Sequence, residues 1–188
     1  MTSWVSHLHF DHVGDLSPFS KSLLVMGGDA AERIKLTYPQ NPDSLISALP
    51  YGQNVQYIDF ATKESISLGP FESAIDFLED GSLYLIDARG HTPGHLAALV
   101  RVGSEQFVLL AGDCCHNRQC YNPGERLISR YNHEDIETAR KTVENLKVAG
   151  KMTNVIVILA HEKERLDEMP LFPETLNGWA TQEMTENN

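Results

Sequence analysis

The chain has 188 residues, 41% hydrophobic and 8% aromatic, which suits one packed domain over 1–188 and excludes a disordered polypeptide. Lys+Arg 15 against Asp+Glu 26 leaves a net charge of -11, so there is no basic stripe to neutralise nucleic-acid phosphates. No apolar run approaches the roughly 20 residues that span a bilayer, and nothing at the start reads as a signal peptide.

In chain order, apolar runs that stop at turn residues predict strands at 22–26, 55–60, 83–87, 96–102, 106–111 and 155–159. Gly103-Ser104 predicts a tight hairpin between two of them, and the continuous run at 155–159 predicts a strand covered on both faces. Short helices are expected at 29–36 and 42–49. A longer one is expected after Asn132 as its cap, with Ile136, Ala139, Val143 and Leu146 on one face and Gly150 at its end. Phe10, Phe19, Met26 and Trp179 are expected in the core, and the polar tail from about 174 is expected to fray. Strands mixed with helices give an α/β layered domain. Cys114, Cys115 and Cys120 are few, odd in number and partly adjacent, which points to a reduced, cytoplasmic protein.

The densest chemical signal lies at the start. His7, His9, Asp11 and His12 form H-x-H-x-D-H, four metal-capable side chains within six residues. Buried without partners they would cost several kcal/mol, and a divalent cation removes that cost. Further candidates follow predicted strands: His91 and His95 in Gly-His-Thr-Pro-Gly-His, Asp113 in Gly-Asp, and His161. A rigid sheet presents side chains from its strand ends into a shared cleft, so the joint pattern predicts one metal site.

These motifs, in this order from His7 to His161, resemble those of the metallo-β-lactamase-fold hydrolases. The segment Ser6-His7-Leu8-His9-Phe10-Asp11-His12-Val13-Gly14 is most similar to the N-acyl homoserine lactonase branch and related fungal hydrolases. The resemblance implies an α/β fold, an αβ/βα four-layer sandwich. It assigns His7, His9 and His91 to one metal, Asp11, His12 and His161 to a second, and Asp113 to both. Two zinc ions are implied, with iron or manganese as substitutes. The implied reaction is hydrolysis of a lactone or related ester by a hydroxide between the metals, with Asp11 also carrying the proton to the leaving group. The implied partner is a small-molecule acyl substrate, with no nucleic acid and no membrane, and an oligomer is left open. Two further catalytic candidates follow: His95, outside the metal ligands, to orient the His91 loop or a ligand by hydrogen bonding, and His116, standing where the lactonases carry a tyrosine that polarises the substrate, either to donate a similar hydrogen bond or as an unrelated surface residue. In the superfamily, strands precede the first motif, and here six residues do. This implies missing N-terminal strands, an open sheet edge and exposed apolar surface. The alternatives are a thioester hydrolase with the same motifs and a metal-binding remnant without activity.

Overall fold

Short aliphatic runs bounded by glycine or polar turns form strands in two sheets; this computed structural model describes all residues except 40, 47, 63, 172, 187 and 188. The smaller sheet is parallel, ordered β1 (Thr2–Trp4), β2 (Leu23–Gly27), β3 (Val55–Ile58). The larger is β4 (Ile66–Leu68), β5 (Phe71–Asp76), β6 (Leu83–Asp87), β7 (Leu96–Arg101), β8 (Phe107–Leu110) and β9 (Val155–Ile158). Its neighbours run antiparallel except β8 and β9, which are parallel with Leu109 opposite Val157. A parallel pair needs a crossover, and the helix α2 (Ile136–Ala149) provides it.

The period of two along β8 and β9 divides the core. Leu109 and Val157 face α2, packing with its Val143, Leu146 and Ala149 and with Cys114, Cys115 and Cys120. Fully burying side chains such as Val143 and Leu146 stabilises by about 1.5–3 kcal/mol each. Val108, Ile156 and Ile158 face the other way, against Trp179 and Ala180 of α4 (Leu176–Glu186). Between the sheets, Val25 and Ile58 meet Leu85, Leu96 and Ala98. Val100 and Leu110 touch both of these last two groups, so the small sheet and α4 share one face of the large sheet. The outer layer on the small sheet packs Leu8, Val13, Leu16 and Ala30 onto Leu24 and Met26. This is the expected four-layer arrangement. Three strands stand in the smaller sheet, and α4 packs on the large sheet through Trp179 and Ala180.

Several local expectations are corrected. The tail expected to fray forms α4, because Leu176, Trp179 and Ala180 recur at helical spacing and give it an apolar stripe. The cap of α2 is Asp135, which accepts from the Thr138 N–H at 3.1 Å, and not Asn132. No helix forms at 42–46, where turns dominate, Leu45 O accepts from Phe10 N and Ile46 bridges to His9; Ser47 lies outside the described residues. The helix expected at 29–36 is a 3-10 helix, Gly28–Leu36. Phe10 and Phe19 are exposed rather than in the core, since the single turn of α1 (Phe10–Val13) buries only Val13. Met26 is buried as expected. No helix among the described residues is long and apolar enough to cross a membrane.

Gly90 ties the layers together. Its φ is +126°, and a Cβ there would stand 2.3 Å from the Ala139 backbone nitrogen of α2. Gly90→Ala is therefore expected to cost about 2–4 kcal/mol through strain and backbone displacement. Urea unfolding followed by circular dichroism measures this, and an unchanged midpoint would refute the close approach.

Candidate metal centre

Four loop segments at strand ends build the site. The stretch after β1 carries His7 and His9 and runs into α1, whose first turn holds Asp11 and His12. The loop from β6 to β7 carries His91 and His95, Asp113 follows β8, and His161 follows β9. Backbone hydrogen bonds fix these segments to one another. Leu96 N donates to Ser6 O at 2.8 Å, and Ala160 N to Gly112 O at 3.2 Å. Glu134 N and Asp135 N donate to the carbonyls of His91 and Gly90, both at 3.0 Å. Arg33 of the 3-10 helix pairs with Glu134 in the segment before α2.

All seven sequence-expected donors converge. His9 Nδ1 lies 3.0 Å from His7 Nε2 and 3.1 Å from His91 Nε2. Asp113 Oδ2 stands 3.3 Å from His12 Nε2 and 3.4 Å from His91 Nε2, while Oδ1 stands 3.3 Å from His161 Nε2. Asp11 Oδ2 lies 3.6 Å from His12 Nε2 and 3.7 Å from His161 Nε2. Donor atoms of one tetrahedral zinc site sit about 3.3 Å apart when each bond is about 2.0–2.1 Å. The observed separations match that spacing in two groups, His7–His9–His91 and Asp11–His12–His161, with Asp113 beside both. Asp113 Oδ1 is buried and has no hydrogen-bond partner, which fits an oxygen kept for a cation.

Hydrogen bonds on the far ring nitrogens aim the lone pairs. His91 Nδ1 donates to the Asn132 carbonyl at 2.7 Å, which leaves Nε2 to face the cluster. Ser6 Oγ contacts His7 Nδ1 at 3.2 Å to the same effect. His95 is fully buried, and its Nε2 accepts from the Asp113 backbone N–H at 3.0 Å. It therefore ties the loop after β6 to the segment that follows β8.

Burial keeps His7, His9, His91 and His95 unprotonated. Burial pushes His91 down to about 4 and His95 to about 3. It also drives His7 far below its usual value, with help from the neighbouring His95, His12 and His91. His12 goes the other way: burial alone would lower it, but the Asp113 carboxylate raises it. Burial alone would raise Asp113, yet contacts from His116 and His12 hold it well below the usual carboxylate range. An ionised oxygen donor thus sits beside His7, His9 and His91, whose imidazoles burial keeps neutral, a set that suits a divalent metal.

Two more histidines complete the picture, and all eight of the chain belong to one network of ring contacts. His116 reaches Asp113 Oδ2 with its Nε2 at 3.1 Å and stacks on His161. His133, absent from the sequence expectations, is buried, with its ring centroid 5.4 Å from that of His91 and 5.6 Å from that of His116. Burial, then His116, lowers it to about 4. In sequence it reads as one polar residue of a helix-capping stretch, and no motif marks it. The three cysteines are free and buried, and burial pushes the Cys115 thiol up to about 12, so they are packing residues.

No protein-family model matches the chain. It is 35% identical over 200 residues to the cytochrome P450 monooxygenase mpaDE of Penicillium roqueforti (strain FM164), covering 93% of this chain and 23% of that protein. It is 31% identical over 215 residues to the metallo-hydrolase mfmC of Annulohypoxylon moriforme, covering 93% of this chain and 56% of that one. The chain thus spans under a quarter of the first relative and about half of the second. Its fold matches that of an N-acyl homoserine lactone hydrolase with the product N-hexanoyl-L-homoserine bound at its catalytic metal center. That match has a TM-score of 0.68 and 19% identity, over 92% of this chain and 60% of the other. A fold shared with that hydrolase, and likeness to a metallo-hydrolase along most of the sequence, give this protein the metallo-β-lactamase fold and make it a relative of metal-dependent hydrolases.

Proposed function

We propose that the chain carries the centre of a dinuclear zinc hydrolase that opens a lactone or a related ester. The observation that carries this reading is the pair of donor groups meeting at one buried carboxylate, Asp113. In this reading His7, His9 and His91 hold one metal, Asp11, His12 and His161 hold the second, and Asp113 serves both. Bound, the pair would supply a water of lowered pKa and a Lewis acid for the carbonyl oxygen.

The chain's own residues do the rest. Asn132 and Ser6 keep the His91 and His7 rings turned inward. His95 steadies Asp113 through its backbone N–H. Asp11, with a side chain 42% exposed, faces the open side of the cluster and is suited to take a proton and return it to the departing alkoxide. The lactone hydrolase of the same fold, with its hydroxy-acid product at the metal center, supports an ester-type substrate of modest size.

Recombinant protein loaded with zinc and assayed against an acyl homoserine lactone, an aryl ester and an acyl thioester tests the proposal. About two zinc per chain and turnover of the lactone or ester are expected. Asp11→Ala is expected to lower kcat by about 10²–10⁴-fold. A metal-loaded protein inert to all three substrates would overturn the hydrolase reading, and turnover of the thioester alone would overturn the lactone assignment.

A further inference from the structure

We propose that His116 is an additional metal ligand of this centre and that His133 is the residue that orients its ring. The inference rests on the reading that the centre holds metal.

His116 Nε2 stands 3.1 Å from Asp113 Oδ2, nearer than the nitrogens of His12, His161 and His91, at 3.3, 3.3 and 3.4 Å from that carboxylate. By distance, His116 is indistinguishable from the imidazoles the motifs identify. Its donor atom falls with those of His91 and Asp113 in a third group whose members all lie within 4.8 Å of one another. Parallel stacking on His161, with centroids 5.4 Å apart and planes 19° apart, fixes the ring so that Nε2 addresses the same centre. Only two residues separate it from Asp113, so the loop that delivers the shared carboxylate delivers this nitrogen too.

His133 supplies the independent observation. It is 7% exposed, and both ring nitrogens are buried without a hydrogen-bond partner. A buried unsatisfied group of this kind costs about 1–3 kcal/mol, so its persistence needs a reason. Ligand imidazoles are held by a partner on the far nitrogen, as Asn132 does for His91 and Ser6 for His7. For His116 the polar ring at hand is His133, 5.6 Å away between centroids. A small rotation of either ring on metal binding would close an N–H···N contact between the far nitrogen of His116 and one of the two His133 nitrogens. The consequence is chemical: His116 would add a sixth imidazole to the residues that would hold metal, in place of a phenol free to bond substrate.

Cobalt(II) is the probe. Apo protein, His116→Ala, His116→Gln and His133→Phe are titrated with cobalt(II), recording affinity, stoichiometry and the visible ligand-field bands, with circular dichroism reporting the fold. Loss of a ligand is expected to weaken one cobalt by more than roughly 100-fold in both His116 variants and to shift the bands. His133→Phe is expected to weaken the same cobalt by roughly 10–100-fold with the stoichiometry kept. Either folded His116 variant binding cobalt with the wild-type affinity and spectrum would overturn the proposal. Wild-type protein that binds no cobalt would instead overturn the metal reading beneath it.

Discussion

Asp113→Ala is expected to empty the centre, taking bound zinc from about two equivalents to below one and activity to background. Among the described residues Asp113 is the single carboxylate grouped with donors of both sets, and it is the buried anion there that would meet the cationic field of bound metal. Without it, His7, His9 and His91 remain as three neutral nitrogens, and Asp11, His12 and His161 keep one largely exposed carboxylate. The fold should survive, because burial and not Asp113 keeps most of the imidazoles neutral. Asp113→Asn sharpens the test: an amide of the same size keeps the packing but loses the charge, and is expected to lose metal nearly as fully. Elemental analysis of gel-filtered protein measures the effect, and two zinc retained in either variant would refute the shared-carboxylate centre.

The parts of this site that sequence revealed are those with a local signature. His7, His9, Asp11 and His12 announce themselves by density, because no packing requirement puts three imidazoles and a carboxylate within six residues. His91, Asp113 and His161 could be read because each follows an apolar run that became β6, β8 or β9. His133 could not be read, since its place beside His91 and His116 is set by tertiary contacts such as that of Asn132 with His91, 41 residues apart in the chain. His116 was visible only as a departure from the lactonase pattern; its 3.1 Å approach to Asp113 is tertiary information. The same distinction holds for the fold. The long aliphatic strands were clear, but β1, β4 and β5 were not: β4 is largely exposed, and β5 interleaves Glu72 and Ser73 among its buried residues. The helix expected at 42–49 failed because the first motif's loop needs an extended neighbour to bond Phe10 and His9, a demand that local propensity does not contain.

Metal removal is expected to lower the thermal midpoint by about 8–16 °C near neutral pH. Ligand that binds only the folded state at about 1,000 times its dissociation constant contributes about 4 kcal/mol. For a chain of this size each kcal/mol moves the midpoint by about 2–4 °C. Acid should then destabilise the chelated protein further, in a predictable window. His91 and His133 are held at about 4 and His95 at about 3 by burial, whereas the unfolded imidazoles titrate near 6.5. Below about 6.5 the unfolded chain takes up protons that the folded one refuses, so stability present at neutral pH drains away down to about 4. Asp113 continues the loss at lower pH, since its folded value lies below the ordinary 3.8 and its contribution fades as pH falls past that point. His12 opposes, because a raised folded value adds stability below 6.5 and loses it as pH rises, but it stands against five lowered imidazoles, His7, His9, His91, His95 and His133. Thermal scans from pH 7.5 to 4.5, with chelator and with zinc, separate the contributions. The two curves should be furthest apart at neutral pH, where zinc meets no competition from protons, and should converge as imidazole protonation displaces it. Curves that coincide at pH 7.5 would show that these histidines stabilise the fold without holding metal.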